Sequence, residues 1–159
     1  MVRLQYLVFA LLLSLVLSSC GFTLRGTASL QKYPALYLQG DVHSELLTQL
    51  GAQLVRNQVT LLDSPDASAP VFVFVDDSLK RRNLSLFTNG QVAEYELIYT
   101  LNYQLILPGQ DPVPYRIELN RDYLDDPNRA LAKSRELDLL LTELRSQAVS
   151  RVIRQLSRL

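Results

Sequence analysis

The clearest pattern in the chain runs from Ala93 to Leu105. Ala93, Tyr95, Leu97, Tyr99, Leu101, Tyr103 and Leu105 hold the odd positions; Glu94, Glu96, Thr100, Asn102 and Gln104 hold even ones, with Ile98 the exception. Period-two alternation is the pattern of a strand with one buried and one polar face. The run is long for a strand, most of which span about 3–10 residues, so it predicts a tall hairpin or a strand bent by a bulge. Asn89-Gly90, just upstream, has the chemistry of a two-residue hairpin turn in which both positions take positive φ. Downstream, Pro108-Gly109-Gln110-Asp111-Pro112 turns the chain, and Val113, Tyr115, Ile117 and Leu119 alternate with Arg116, Glu118 and Asn120. A three-strand antiparallel meander follows. Its first strand is announced by Val71-Phe72-Val73-Phe74-Val75, an apolar run expected to be buried on both faces, with Asp76-Asp77 guarding against aggregation.

Two segments carry helical spacing instead. Leu47, Leu50, Leu54 and Gln58, beside Leu46 and Val55, predict an amphipathic helix over His43–Gln58, capped by Asp41 or Ser44. Asp126-Pro127 is an N-cap followed by proline at the first helical position. From Asn128 to Leu159 there is no Gly or Pro, and Leu137, Leu141, Leu144, Ala148, Val152, Leu156 and Leu159 recur every three or four residues. Arg145, Arg151, Arg154 and Arg158 fall where a helix C-terminus favours cations. Ala35–Leu38 is a short strand candidate closed by Gly40-Asp41, Val59–Leu62 a possible further strand, and Asp63–Pro70 a loop. The order predicts an α+β fold: two helices packed on one face of a mixed, mostly antiparallel four-stranded sheet. Its first strand–helix–strand unit is expected to be a right-handed parallel crossover. The polar face of the long strand would then look away from the helices.

The N-terminus follows different rules. Arg3 is the sole charge before residue 25, and an apolar run from Leu7 to Leu17 is broken only by Ser14. A basic start, a short apolar core and small residues make a secretory signal, too short to span a ~30 Å bilayer core. Leu17-Ser18-Ser19-Cys20 resembles a bacterial lipobox. Residues 1–19 are therefore expected to be removed, and Cys20 to carry S-diacylglycerol and an N-acyl chain such as palmitate. Several buried acyl chains anchor a protein almost irreversibly. Gly21, where an Asp would retain a lipoprotein at the inner membrane, implies the outer membrane. Residues 20–32 are expected to be a lipidated tether and 33–159 a single domain.

Composition removes most other chemistry. Sixteen basic and sixteen acidic residues balance, which disfavours nucleic acid as a partner. One Cys forbids an internal disulfide, and one His forbids a multi-His zinc centre. His43 at a helix start, the Asp76-Asp77 and Asp125-Asp126 pairs, and Glu94 with Glu96 all read better as surface, cap and solvated strand face than as catalytic or metal-ligating groups. No catalytic residue, metal site or cofactor beyond the covalent lipid is expected. Lys80-Arg81-Arg82 is the exception: three cations beside a hairpin either grip phosphates or protect an edge strand. Lys133 lies in the first turns of the long helix, where the dipole gives a cation nothing, and is a further ligand candidate. The polar strand face and turn nominate Thr88, Asn89, Gly90, Glu94 and Glu96 as contacts with a partner.

Four strings, in order, resemble the lipopolysaccharide-assembly lipoprotein family LptE: Cys20-Gly21-Phe22-Thr23-Leu24-Arg25-Gly26; Phe87-Thr88-Asn89-Gly90-Gln91-Val92-Ala93-Glu94-Tyr95; Leu107-Pro108-Gly109; and Asp126-Pro127-Asn128-Arg129-Ala130-Leu131-Ala132-Lys133. The resemblance covers nearly all of the mature chain. It implies a non-catalytic outer-membrane lipoprotein, anchored on the periplasmic side, that plugs the lumen of the LptD β-barrel and helps deliver lipopolysaccharide. Lys133 carries over as a lipopolysaccharide contact, whereas Thr88 stands where some relatives have a basic residue. The alternative is a periplasm-facing scaffold for another envelope complex.

Overall fold

The computed structural model describes Leu30, residues 32–124 and residues 130–159, with side chains from 133 onward in the last group. The leader, Cys20, and the Asp125-Asp126 and Asp126-Pro127 pairs lie outside the described residues. The elements are β1 (Ala35–Gln39), α1 (Glu45–Arg56), β2 (Thr60–Leu62), β3 (Val71–Leu86), β4 (Val92–Ile106), β5 (Val113–Leu124) and α2 (Ala130–Leu156). The sheet runs β2-β1-β3-β4-β5. β1 pairs in parallel with both β2 and β3, and β3, β4 and β5 pair antiparallel. The α+β class holds, but the sheet has five strands rather than four, and half its pairings are parallel. The added strand, three residues at an edge, falls within Val59–Leu62, the possible further strand that the four-strand count left out; it is held by Thr60, whose N–H donates to the Pro34 carbonyl at 2.8 Å.

The local devices are conventional. Ser44 caps α1, its hydroxyl accepting from the Leu47 N–H at 3.3 Å, while Asp41 accepts from the His43 N–H and shapes the approach. The helix stops at Arg56, before the expected Gln58. Val59 N–H returns to the Leu54 carbonyl and Gln58 N–H to that of Val55, closing the last turn with Gln58 at φ +64°. At Leu107–Gln110, Pro108 sets the turn and Gly109 takes φ +70° after it.

β3 is one strand of sixteen residues, although its second half is polar. It extends because β4 offers an equally long ladder. The register slips between Phe74 and Asp76, which leaves Val75 as a bulge. Before it, Phe72 and Phe74 face the helices; after it, Asp77, Leu79 and Arg81 do, opposite Leu101, Tyr99 and Leu97. The 71–75 run is therefore not buried on both faces. Val71 and Val73 are half-buried and Val75 is 54% exposed, because no layer covers the second face among the described residues.

The core lies between that sheet face and the two helices. Leu46, Leu50 and Leu54 of α1 and Leu144, Ala148, Val149 and Val152 of α2 meet Leu36, Phe72, Leu97, Tyr99, Leu101, Tyr103 and Leu105. Leu30, inside the span expected to be tether, is buried with them. Phe72, Tyr103 and Tyr115 stack in a row, with ring centroids 5.0 and 5.4 Å apart. Gly40 lets β1 pass into α1: a Cβ there would lie 2.8 Å from Phe74 Cβ and from a Leu47 methyl.

Candidate functional site

The far end of the meander gathers most of the residues nominated from sequence. The turn at its tip spans Phe87 to Gln91. Phe87 N–H donates to the Gln91 carbonyl at 2.8 Å and Gly90 N–H to the Phe87 carbonyl at 2.9 Å. Gly90 takes φ +83°, but Asn89 does not take positive φ. The loop is thus Thr88-Asn89-Gly90 with glycine in the left-handed position, not a two-residue turn. Asn89 adds a local lock, its Oδ1 accepting from the Gln91 N–H at 3.1 Å. Thr88, Asn89 and Gly90 are all exposed. So are Leu84, Leu86, Phe87 and Leu124 around them, an apolar rim on a polar tip.

The sheet face turned away from the helices is polar but internally bonded. Glu94 accepts from the Ser85 hydroxyl at 2.8 Å. Glu96 forms a close ion pair with Arg82 and accepts from Asn120 Nδ2 at 3.1 Å. Asp76 accepts from Asn102 Nδ2 at 2.6 Å. Both nominated glutamates are half-buried, and each is already engaged by a neighbouring strand.

Strand alternation breaks up the Lys80-Arg81-Arg82 triplet. Lys80 and Arg82 share the open face with Glu96, while Arg81 points to the helix side. There its guanidinium stands 5.9 Å from the Tyr95 ring centroid. Tyr123, opposite Tyr95 on β5, donates its hydroxyl to the Lys133 carbonyl at 3.4 Å. Burial raises the Tyr123 phenol above its ordinary pKa, with Glu136 adding to the shift and Arg81 opposing it. The structure therefore brings Arg81 and the Lys133 turn of α2 together and places Lys80 and Arg82 on the other side. The three adjacent cations are not one cluster. Asp76 and Asp77 separate in the same way and cannot share an ion.

Asp77 belongs to a network that the sequence did not announce. Tyr99 donates to its Oδ2 at 2.7 Å, and Arg145 Nε lies 3.4 Å from the same oxygen. Arg145 also makes a close ion pair with Glu45 in the first turn of α1. One guanidinium thus ties both helices to β3. Burial, and then the hydrogen bond to Asp77, drives the Tyr99 pKa far up. The only sequence signal was the apolar alternation that buried Tyr99. His43, by contrast, is exposed and only closes a turn.

Comparison with known proteins adds an independent line. The lipopolysaccharide-assembly family LptE matches residues 27–156. An LPS-assembly lipoprotein LptE of Photorhabdus laumondii is 36% identical over 146 residues, 89% of this chain and 79% of the relative. That of Yersinia enterocolitica is 35% identical over 147 residues, 89% and 70% of the two chains. Among solved structures, rare lipoprotein B of Shewanella oneidensis superposes with a TM-score of 0.73 at 42% identity, over 78% of this chain and 94% of that one. An uncharacterized lipoprotein B of Nitrosomonas europaea shares the fold, with a TM-score of 0.69 at 24% identity over 86% and 90% of the two chains.

Proposed function

Because the chain belongs to the lipopolysaccharide-assembly family LptE, we propose that it is the internal plug of the LptD β-barrel and a contact for lipopolysaccharide. It is a non-enzymatic outer-membrane lipoprotein of lipopolysaccharide assembly. The observation that carries the reading is the match across residues 27–156, nearly the whole folded unit. The geometry supports it. A wide barrel has a polar, water-lined lumen, and a sheet face of hydrogen-bonded polar pairs suits such a wall. Leu84, Leu86, Phe87 and Leu124 leave apolar side chains exposed at this end of the meander, available to a partner. Arg81 and Lys133 stand beside them, where a phosphorylated glycolipid would meet cation and apolar surface together. Cys20 supplies the anchor in this reading.

Photo-crosslinkers at Thr88, Glu94 and Glu96 test the plug. They are expected to trap a large β-barrel protein from membranes. If all three stay uncrosslinked in folded, lipidated protein, the plug reading fails. For the ligand, Arg81→Glu with Lys133→Glu is expected to weaken lipopolysaccharide binding more than Lys80→Glu with Arg82→Glu. The reverse order would move the contact to the open face.

A further inference from the structure

Four arginines of the described chain are tied to carboxylates: Arg82 to Glu96, Arg116 to Glu118, Arg121 to Glu143, and Arg145 to Glu45 and Asp77. Arg151, Arg154 and Arg158 differ. Among the described residues, no carboxylate forms an ion pair with any of them. The chain from Leu144 to Leu159 contains four arginines and no Asp or Glu. Spacings of three and four place Arg151, Arg154, Gln155 and Arg158 on one side of α2 and its final turn, while Val152, Ile153 and Leu156 are buried.

These four side chains and Ile117 of β5 line a pocket of about 260 Å³. Arg151 Nη1 donates to the Glu118 carbonyl at 3.1 Å, which holds one guanidinium against the strand. The Glu118 carboxylate itself is committed to Arg116 at 2.8 Å. Like charges one turn apart destabilise a helix by roughly 0.2–0.5 kcal/mol per pair, so the grouping has no internal reward. The helix C-terminus adds about −0.5 of a charge, which opposes an anion but is far outweighed by three full positive charges. Guanidinium forks match phosphate oxygens in pairs. The volume lies below the roughly 300–1,000 Å³ of clefts for drug-sized ligands, and suits a headgroup.

The geometry points to a phosphate-binding site formed by Arg151, Arg154 and Arg158 over Ile117, taking the phosphate of an anionic lipid headgroup or of a free phosphate ester. The site lies at the opposite end of α2 from Lys133, so it stands or falls apart from the lipopolysaccharide contact proposed above. Its position favours the lipid. Lys32 donates to the Leu159 carbonyl and Leu30 is buried, so this end of α2 sits where the chain joins the fold. Cys20 is ten residues before Leu30, and ten extended residues reach at most about 35 Å. An anchor there would keep the pocket within reach of a membrane surface.

The test uses the purified full chain in neutral detergent, titrated calorimetrically with inorganic phosphate, glycerol 3-phosphate, dihexanoyl phosphatidylglycerol and dihexanoyl phosphatidylcholine. The two phosphate probes and phosphatidylglycerol are expected to bind, phosphatidylglycerol most tightly, and to shift the arginine Nε–H NMR signals of Arg151, Arg154 and Arg158. Phosphatidylglycerol binding no tighter than glycerol 3-phosphate would assign the site to free esters. Arg151→Gln/Arg154→Gln/Arg158→Gln is expected to lose about tenfold or more in affinity with an unchanged melt, through loss of charge-assisted hydrogen bonds. Arg56→Gln, at an exposed arginine on the other helix, is the control and is expected to bind as wild type. Equal loss in the control, equal affinity for phosphatidylcholine, or no loss in the triple variant overturns the site. Should the triple variant fold poorly, Arg154→Gln alone and the wild-type Nε–H shifts decide, and absence of both effects overturns it.

Discussion

Phe72 and Phe87 are the same side chain on the same polypeptide ladder, yet one is fully buried and the other 44% exposed. Between them β3 pairs continuously with β4, apart from its slips in register, so backbone hydrogen bonding does not separate the two ends of the meander. Cover does. At the Phe72 end, α1 and the second half of α2 lie over the sheet, and Tyr103, Leu101 and Leu105 are buried beneath them. At the Phe87 end, most of β3 from Lys80 onward is exposed, and so is Leu139 in the first half of α2. The first end is held by apolar burial, worth roughly 1.5–3 kcal/mol per large side chain. The second relies on cross-strand pairs such as Arg82–Glu96 and Ser85–Glu94, each worth about 0.2–1 kcal/mol. The division assigns stability to one end and leaves the other free to contact partners.

The sharpest way to break this comparison is to truncate both phenylalanines. Phe72→Ala is expected to cost roughly 3–5 kcal/mol in denaturant unfolding, because it opens a cavity beside Tyr103. Phe87→Ala should stay within about 0.5 kcal/mol. Equal losses would mean that the far end is covered in the free protein.

A smaller effect is expected at Arg145, where the two helices meet β3. Arg145→Met leaves Asp77 with the Tyr99 hydroxyl but without its cation, and returns the exposed Glu45 to water. The guanidinium and Asp77 are each about one-fifth exposed, so the loss belongs between the 3–5 kcal/mol of a fully buried pair and the ~0–1 kcal/mol of a surface pair. About 2 kcal/mol is expected, read as a shifted denaturation midpoint. Arg82→Met, the corresponding break on the open face, should cost about 1 kcal/mol: the guanidinium is 65% exposed, and Glu96, only 12% exposed, keeps Asn120 as a donor. A larger loss at Arg82 than at Arg145 would reverse the assignment.

The smallest change concerns Tyr103. Its hydroxyl is buried with no hydrogen-bond partner among the described residues, so Tyr103→Phe should be neutral within about 1 kcal/mol or stabilising. Burial pushes its pKa up to about 12. An unfolded tyrosine ionises near 10, so this stabilisation is complete below pH ~10 and is lost as pH rises toward 12. Melting temperatures of the Phe variant should therefore fall less steeply than wild type above pH 10. Identical pH profiles would show that the Tyr103 phenol is not held neutral by the core.

Much of the fold is legible one element at a time. The alternation from Ala93 to Leu105 defines β4 and its buried face, Ser44 defines the start of α1, and the leucine and valine spacing defines the covered side of α2. These follow from pitch and capping, which a residue and its near neighbours decide. The expected partner residues at Thr88, Asn89 and Gly90 do sit at an exposed tip, because Gly90 can take a positive φ where its neighbours do not.

Placement across the sheet was a different matter. One extra residue at Val75 reverses the facing of β3 from Asp76 to Asn83, where a second slip follows. That single slip sends Arg81 to the helix side beside Tyr95, leaves Lys80 and Arg82 on the open face, and parts Asp76 from Asp77. Arg145 meets Glu45 across 100 residues and Asp77 across 68, although its position had suggested only a favourable place near a helix end. β2 joins as a fifth strand because a parallel neighbour was there to receive it. Periodicity reports which side of an element is apolar; register, bulges and the packing of distant elements decide what each polar side chain finally touches.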